Sequence, residues 1–196
     1  MATDRLGTPV SDVIDVLHGT AVADPYRWLE QGDDPAVADW TAHQNARTEA
    51  WLAAIPDRAR IRRRLEELLA IGSIGVPSPL AGRYVYVRRD GTENQPVLYF
   101  RDGLQAPDRV AVDPNALNAA GTTALDWYHP SDDGRFLAYG LSEDGSERSV
   151  LHVLDLTTLR PLPDLIPDTR AADLAWLPDA TGFYYTRYPA AGTVPD

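Results

Sequence analysis

The residues that could carry acid–base or nucleophilic chemistry here are the histidines, taken together with the plentiful serines and aspartates. The four histidines are His18, His43, His129 and His152. A serine hydrolase sets a Ser nucleophile beside a His base and an acidic orienting group, and in α/β-hydrolases the Ser occupies a Gly-x-Ser-x-Gly turn. No such turn occurs, because Ser73 stands in Gly72-Ser73-Ile74-Gly75 with the wrong spacing. We therefore expect no catalytic triad within this chain.

Metal and phosphate sites are not predicted either. The sequence contains no cysteine, which removes thiolate ligands and disulfides. The acidic turns Asp132-Asp133-Gly134 and Glu143-Asp144-Gly145 lack the alternating ligands and the closing Glu of a calcium loop. A glycine-rich phosphate-binding loop is also missing. We expect no catalytic, substrate-binding or metal-ligating residue in this chain, and no cofactor.

The charge balance argues against binding to nucleic acid or to anionic membranes. The chain has 29 acidic and 18 basic residues, for a formal net charge of -11, which repels phosphates. Its one basic cluster, between Arg58 and Arg64, is either an anion contact or a solvated helix face, and the acidic surroundings favour the second interpretation. No apolar run resembles a signal peptide or reaches the roughly 20 residues of a membrane span. We expect a soluble, cytoplasmic protein.

The N-terminal third has a helical pattern. Asp24-Pro25 and Asp34-Pro35 each place a capping Asp before a Pro that is tolerated at the first helical position. The second of these predicts a helix to about Ala54, and leucines at helical spacing predict another that ends before Gly72. The apolar stripe with Trp40 and Trp51 needs a partner surface. Residues 1–71 therefore form a predicted helical arm.

Beyond Gly72 the period changes to the alternation of strands, and one phrase recurs. Gly82-Arg83-Tyr84 returns as Gly134-Arg135-Phe136 and as Gly182-Phe183-Tyr184, at a spacing of about 50 residues. A repeat of that length with about four short strands and Gly/Asp turns is typical of β-propeller blades. The predicted fold is mainly β with an N-terminal helical arm. Its propeller is incomplete, with two blades and part of a third in residues 72–196.

Several motifs carry a resemblance to a known family. They are collinear and cover nearly the whole chain: His18-Gly19 with Asp24-Pro25-Tyr26-x-Trp28-Leu29-Glu30, Asp113-Pro114-Asn115-x-Leu117 with Gly121-Thr122-x-Ala124-Leu125, and Asp133-Gly134 with Ala138-Tyr139-Gly140-Leu141-Ser142. On these residues the chain resembles the N-terminal portion of the prolyl oligopeptidase (prolyl endopeptidase) family of serine peptidases.

The resemblance implies an α/β-hydrolase domain built from both chain ends, with a seven-bladed propeller inserted between them. Residues 1–71 would be the arm of the peptidase domain, and residues 72–196 the first propeller blades. Family members cleave short peptides after proline with a Ser-His-Asp triad that lies in their C-terminal part. The intact protein is thus expected to be a serine endopeptidase with short proline-containing peptides as partners. This chain alone, without its C-terminal hydrolase portion, is expected to be inactive.

One departure and two alternatives remain open. Family members place an aromatic side chain near the substrate from the segment equivalent to residues 169–173, where this chain has Ala171. The neighbouring Arg170 could reach an acidic peptide, although an exposed loop arginine is the favoured interpretation. One alternative is an oligopeptidase B-type enzyme, which cleaves after basic residues and shares the first motif. The other is a stand-alone partial propeller that mediates protein interactions without catalysis.

Overall fold

The computed structural model describes residues 7–170 and 173–189. The chain divides into two compact units between Leu65 and Glu66. The elements of the N-terminal part are the strands β1 (Ile14–Leu17) and β2 (Thr20–Ala23), a 3-10 helix (Arg27–Glu30), and the helices α1 (Pro35–Ala53) and α2 (Arg58–Leu69).

Helix α1 forms as its capping residues predict. Asp34 accepts a hydrogen bond from the backbone amide of Ala36 at 2.8 Å, and Pro35 takes the first helical position. Such a cap satisfies one of the amides that a helix start leaves without a partner. The predicted start of α1 at Pro35 is confirmed, and the helix ends at Ala53 where about Ala54 was predicted. Helix α2 ends at Leu69, before Gly72 as predicted.

The prediction of a regular helix starting at Asp24-Pro25 is wrong. Only the four-residue 3-10 helix Arg27–Glu30 forms there, because Gly32 and the next capping Asp follow too closely for a longer helix. The Asp24 carboxylate accepts from Arg27 Nε at 2.5 Å instead of capping an amide. The His18-Gly19 pair is the two-residue turn of the β1–β2 hairpin, with φ values of 51° and 82°. Positive φ at both positions is the mark of a tight hairpin turn that suits Gly.

The two long helices bury none of their residues. Trp40 packs edge-to-face on Trp28 at 6.2 Å between ring centroids, whereas Trp51 is 69% exposed. No helix in the described part of the chain combines the length and apolarity that a bilayer crossing requires. Several large apolar side chains of the N-terminal part are exposed, among them Val16, Trp51, Ile61 and Leu65.

The second unit consists of antiparallel sheets. The first sheet contains β3 (Ser73–Ile74), β4 (Ser78–Leu80), β5 (Arg83–Arg89), β6 (Val97–Arg101) and β7 (Arg109–Val112), and is followed by the short helix α3 (Pro114–Leu117). The second contains β8 (Ala124–Pro130), β9 (Phe136–Ser142), β10 (Val150–Asp155) and β11 (Arg160–Ile166). The third contains β12 (Leu174–Trp176) and β13 (Phe183–Tyr185).

Each sheet is a meander in chain order, as a propeller blade requires. Strands β3 and β4 both pair with β5, so together they form one edge strand interrupted around Val76. The second sheet runs β8-β9-β10-β11. The fold is thus mainly β, with two complete blades and the first hairpin of a third among the described residues.

The core lies between the first and second blades. It consists of Val85, Leu98, Phe100 and Val112 from the first blade, packed with Leu137, Tyr139, Leu154 and Leu156 from the second. Each blade thus buries a face against its neighbour rather than within itself. This explains why β10 reads as a nearly continuous apolar run.

The strand order distinguishes an inner from an outer edge of the blades. At one edge, Trp176 Nε1 on β12 donates to the carbonyl of His129 on β8 at 3.0 Å, so the first strands of neighbouring blades meet. At the other edge, β11 is exposed along nearly its whole length. Its Pro161 and Pro163 lack the amide donors that would recruit a further strand. The inner edge is formed by β3, β4, β8 and β12.

Candidate functional site

The candidate site lies where the β9–β10 loop and the β11–β12 loop meet, at one end of the second blade. Residues 146–148, Asp168, Arg170, Tyr188 and Pro189 line an open cavity of about 290 Å³ there. Two of these residues, Glu147 and Asp168, have φ values of 55° and 63°. Positive φ is uncommon for residues other than Gly and is often found at functional loops.

Arg170 has a partner within the protein. Its guanidinium forms an ion pair with Glu147, and both side chains are about 60% exposed. An ion pair so open to water contributes little to stability and is weakened by salt. Arg170 therefore has an intramolecular contact in the structure. Its binding to an acidic peptide stays a prediction. Ala171 lies outside the described residues.

Thr169 anchors the segment that leads into this position. Its side chain is fully buried, and both its backbone amide and its Oγ1 donate to the carbonyl of Ser149 at 3.0 Å. Its own carbonyl accepts from Trp127 Nε1 at 2.8 Å. These bonds join the β11–β12 loop to β8 and to the start of β10, so the loop has a fixed base.

Sequence reasoning missed a carboxylate beside this anchor. Asp126 is exposed on β8 at a register shift between Leu125 and Trp127. Ser142 Oγ donates to its Oδ1 at 3.1 Å, and Ser149 Oγ donates to its Oδ2. An aspartate within an otherwise apolar strand was the available signal, but nothing in the sequence indicates the two serine partners.

Two of the four histidines pack against aromatic rings, and the other two are exposed. His18 lies in the hairpin turn and His43 is exposed on α1. His129 tilts against Trp127 at 5.7 Å, and His152 stacks on Tyr139 at 5.3 Å. Burial lowers the pKa of His152. In residues 7–170 and 173–189, no histidine ring shares a hydrogen bond with a serine hydroxyl or a carboxylate, and no group of three potential metal ligands occurs.

A larger groove of about 470 Å³ lies between the second and third blades. Its apolar wall contains Phe136, Trp176 and Phe183, with Phe136 stacked on Trp176 at 6.0 Å. Its rim carries Asp133 and Asp179. The aromatic wall belongs to the packing between neighbouring blades, so this groove is part of the interface between them.

The sequence matches one family along nearly its whole length. Residues 8–196 match the family described as prolyl oligopeptidase, N-terminal beta-propeller domain. The chain belongs to the prolyl oligopeptidase family. The resemblance drawn from the His18 and Asp113 motifs is thereby confirmed, as is the propeller predicted from the repeat.

Curated relatives agree with this assignment. A prolyl endopeptidase of Elizabethkingia meningoseptica is 33% identical over 183 residues, which are 92% of this chain and 26% of the relative. Prolyl oligopeptidase A of Galerina marginata is 31% identical over 194 residues, covering 88% of this chain and 26% of the relative. This prolyl oligopeptidase-family chain thus spans about a quarter of the length of these relatives.

Solved structures show the same fold. A structure from a study of two prolyl endopeptidases superposes with a TM-score of 0.86 at 35% identity, over 97% of this chain and 28% of that chain. Prolyl oligopeptidase B from Galerina marginata, bound to a 35mer hydrolysis and macrocyclization substrate, superposes with a TM-score of 0.74 at 27% identity. That match covers 93% of this chain and 29% of that chain.

Proposed function

We propose that this chain is the N-terminal part of a serine endopeptidase that cleaves short peptides after proline. The observation that carries the proposal is the continuous family match from residue 8 to residue 196, with relatives named prolyl endopeptidase. The Ser, His and Asp of the triad would come from a C-terminal α/β-hydrolase portion, and no cofactor is required. A cytoplasmic location stays a prediction.

The helical arm is proposed to dock on that hydrolase portion. Its exposed apolar side chains support this role, since Trp51, Leu65 and Leu68 would otherwise remain in water. Exposed apolar surface of this extent commonly marks an interface. We place the boundary of the arm at residues 71 and 72, just after α2, where the strand pattern begins.

The propeller blades are proposed to restrict access to the active site. A closed ring of rigid blades leaves a narrow passage along their inner edges, which admits an extended short peptide and excludes a folded protein. The inter-blade core supports this role, because blades packed through fully buried Leu98, Phe100 and Leu137 separate only at a large cost in buried apolar area.

The test compares the protein made from the complete reading frame with residues 1–196 alone. Two chromogenic peptides that differ only in proline or arginine before the cleaved bond separate the prolyl type from the oligopeptidase B type. We expect the complete protein to prefer the proline peptide and to lose activity with a serine-directed inhibitor. Residues 1–196 should show no turnover.

Two outcomes would overturn this proposal. One is a preference of the complete protein for arginine. The other is inhibitor-sensitive hydrolysis by residues 1–196 alone, which would place the triad within this chain.

A further inference from the structure

Asp126 occupies a special position on the inner edge of the second blade. It is the acidic residue of β8, whose sequence is ALDWYHP. The pairing with β9 passes from Leu125–Leu141 to Trp127–Gly140, so Asp126 is the extra residue of a β-bulge. A bulge turns a side chain away from the direction that regular pairing would give it. Asp126 is also the exposed residue of this inner-edge strand.

The exposed carboxylate is held by a buried support. Ser142 and Ser149, at 4% and 0% exposure, each donate a hydroxyl hydrogen bond to a different oxygen of Asp126. Ser149 is fixed in turn by Thr169, which is itself bound to Trp127. The chain of contacts thus returns to the residue next to Asp126. Such a closed network holds the carboxylate in one orientation.

No cation compensates this carboxylate in the described part of the chain, where Asp126 forms no ion pair. Seven other aspartates of the described residues do have such a cation beside them. Those paired with arginine are Asp15, Asp24, Asp57, Asp90, Asp102, Asp108 and Asp155. Each oxygen of Asp126 keeps acceptor capacity after one serine bond, so an oriented negative group remains available to a ligand.

The neighbouring blades expose uncharged side chains from their first strands. These are Ile74 in the first blade and Ala175 in the third, and Val76, in the interruption between β3 and β4, is 89% exposed. Along these strands, an extended peptide would meet apolar contacts and one fixed carboxylate. The fixed negative charge of Asp126 would then favour peptides that carry a positive charge at the matching position.

We propose that Asp126 is a specificity residue that binds a primary ammonium group of the peptide ligand. The ammonium could be the peptide N-terminus or a lysine side chain, since both present three N–H donors to the carboxylate oxygens. The net charge of -11 also favours the approach of cationic peptides. This inference rests on the proposed function, because it takes the inner edge as the path of the peptide.

The test uses the complete protein and three peptides of one proline-containing sequence. The first has a free N-terminus, the second is acetylated and contains lysine, and the third is acetylated with norleucine in place of lysine. We expect the wild type to prefer the ammonium-bearing peptides through KM rather than kcat. Asp126→Asn should reduce that preference about fivefold, and Asp126→Glu should restore part of it.

The matched control is Asp132→Asn, an exposed aspartate in the turn at the opposite end of the same blade. It removes the same charge and should leave the preference unchanged. Salt at 1 M should lower the wild-type preference toward that of Asp126→Asn. Circular dichroism of each variant checks that the blades remain folded.

Fluorescence anisotropy with the same peptides, on protein blocked by a serine-directed inhibitor, separates this inference from the proposed function. An ammonium preference that disappears in Asp126→Asn supports the inference even if the protein cleaves no proline peptide. Cleavage after proline with an equal preference in wild type and Asp126→Asn overturns the inference and leaves the proposed function standing. Absence of cleavage in the first assay together with absence of binding in the second overturns both the inference and the proposed function.

Discussion

At the scale of single residues, Asp108 organises the polar part of the first blade. Tyr86 OH and Arg101 donate to its Oδ1, and Arg88 donates to Oδ2 at 2.7 Å. The guanidinium of Arg88 lies 4.2 Å from the centroid of the Tyr99 ring. Tyr86 and the two arginines therefore share one carboxylate, and Arg88 also contacts the Tyr99 ring.

The ionisation of Asp108 should appear in the acid stability of the protein. The hydrogen bond from Tyr86, followed by those from the arginines, lowers the pKa of Asp108 against the opposing effect of burial. A folded-state pKa below the unfolded value of about 3.9 stabilises the fold above that value. That stabilisation is lost as the pH falls through the folded-state pKa.

We expect the melting temperature of the wild type to fall more steeply with acid than that of Asp108→Asn. Calorimetry between about pH 5 and pH 3 measures this slope. Asp164→Asn is the control, because Asp164 is exposed on the outer strand β11 and has no ion pair among the described residues. Equal slopes in wild type and Asp108→Asn would contradict the assigned role.

At the scale of elements, the turn between β8 and β9 connects the first two blades. Gly134 has a φ of +67°, and a Cβ atom there would lie 2.9 Å from the carbonyl oxygen of Leu80. Arg83 of β5 donates to the carbonyl of Gly134 at 2.6 Å. The turn thus requires both the left-handed backbone and the small side of glycine. In the third blade the corresponding turn has Ala180, with a φ of 54°, so the match of Gly182 to Gly134 in the sequence repeat is wrong by two residues.

We expect Gly134→Ala to lower the unfolding free energy more than Gly145→Ala does. Gly145 has nearly the same φ, +68°, but open space around its Cβ position. The positive φ should cost about 1–2 kcal/mol in either variant, and only Gly134→Ala adds a collision with backbone. Thermal unfolding of the two variants measures the difference. A similar loss of unfolding free energy in both variants would show that the close approach to Leu80 does not affect stability.

At the scale of the whole molecule, the described part of the third blade ends in an edge strand. Strand β13 pairs with β12 alone among the described strands, and Tyr184 on it is 76% exposed. Unlike β11, it contains no proline. An edge strand with free backbone groups and aromatic side chains is prone to pair with another chain.

Residues 1–196 produced alone should therefore associate or be partly disordered. Size-exclusion chromatography with light scattering measures the association, and Tyr184→Lys should reduce it by placing a charge on the edge. A sharp monomer with cooperative melting would contradict this expectation. The protein from the complete reading frame is the control, because its further strands would cover β13.

Much of the fold was accessible from the sequence because its signals are local. The Asp34-Pro35 cap defines the start of α1, and the recurring Gly82 and Gly134 turns define the blade period. Both signals act through the backbone conformations of a few adjacent residues. A local signal also produced the wrong prediction of a helix at Asp24-Pro25, because the segment after this capping pattern is too short for a regular helix.

The start of α1, the strand repeat and the family follow from the sequence, since short motifs and periodicity encode them. Only the tertiary structure placed Asp126 between Ser142 and Ser149, and Arg83 against Gly134. These contacts join residues 16 to 51 positions apart, and no local pattern specifies them. They depend on how strands pair and blades pack, which the whole chain decides together.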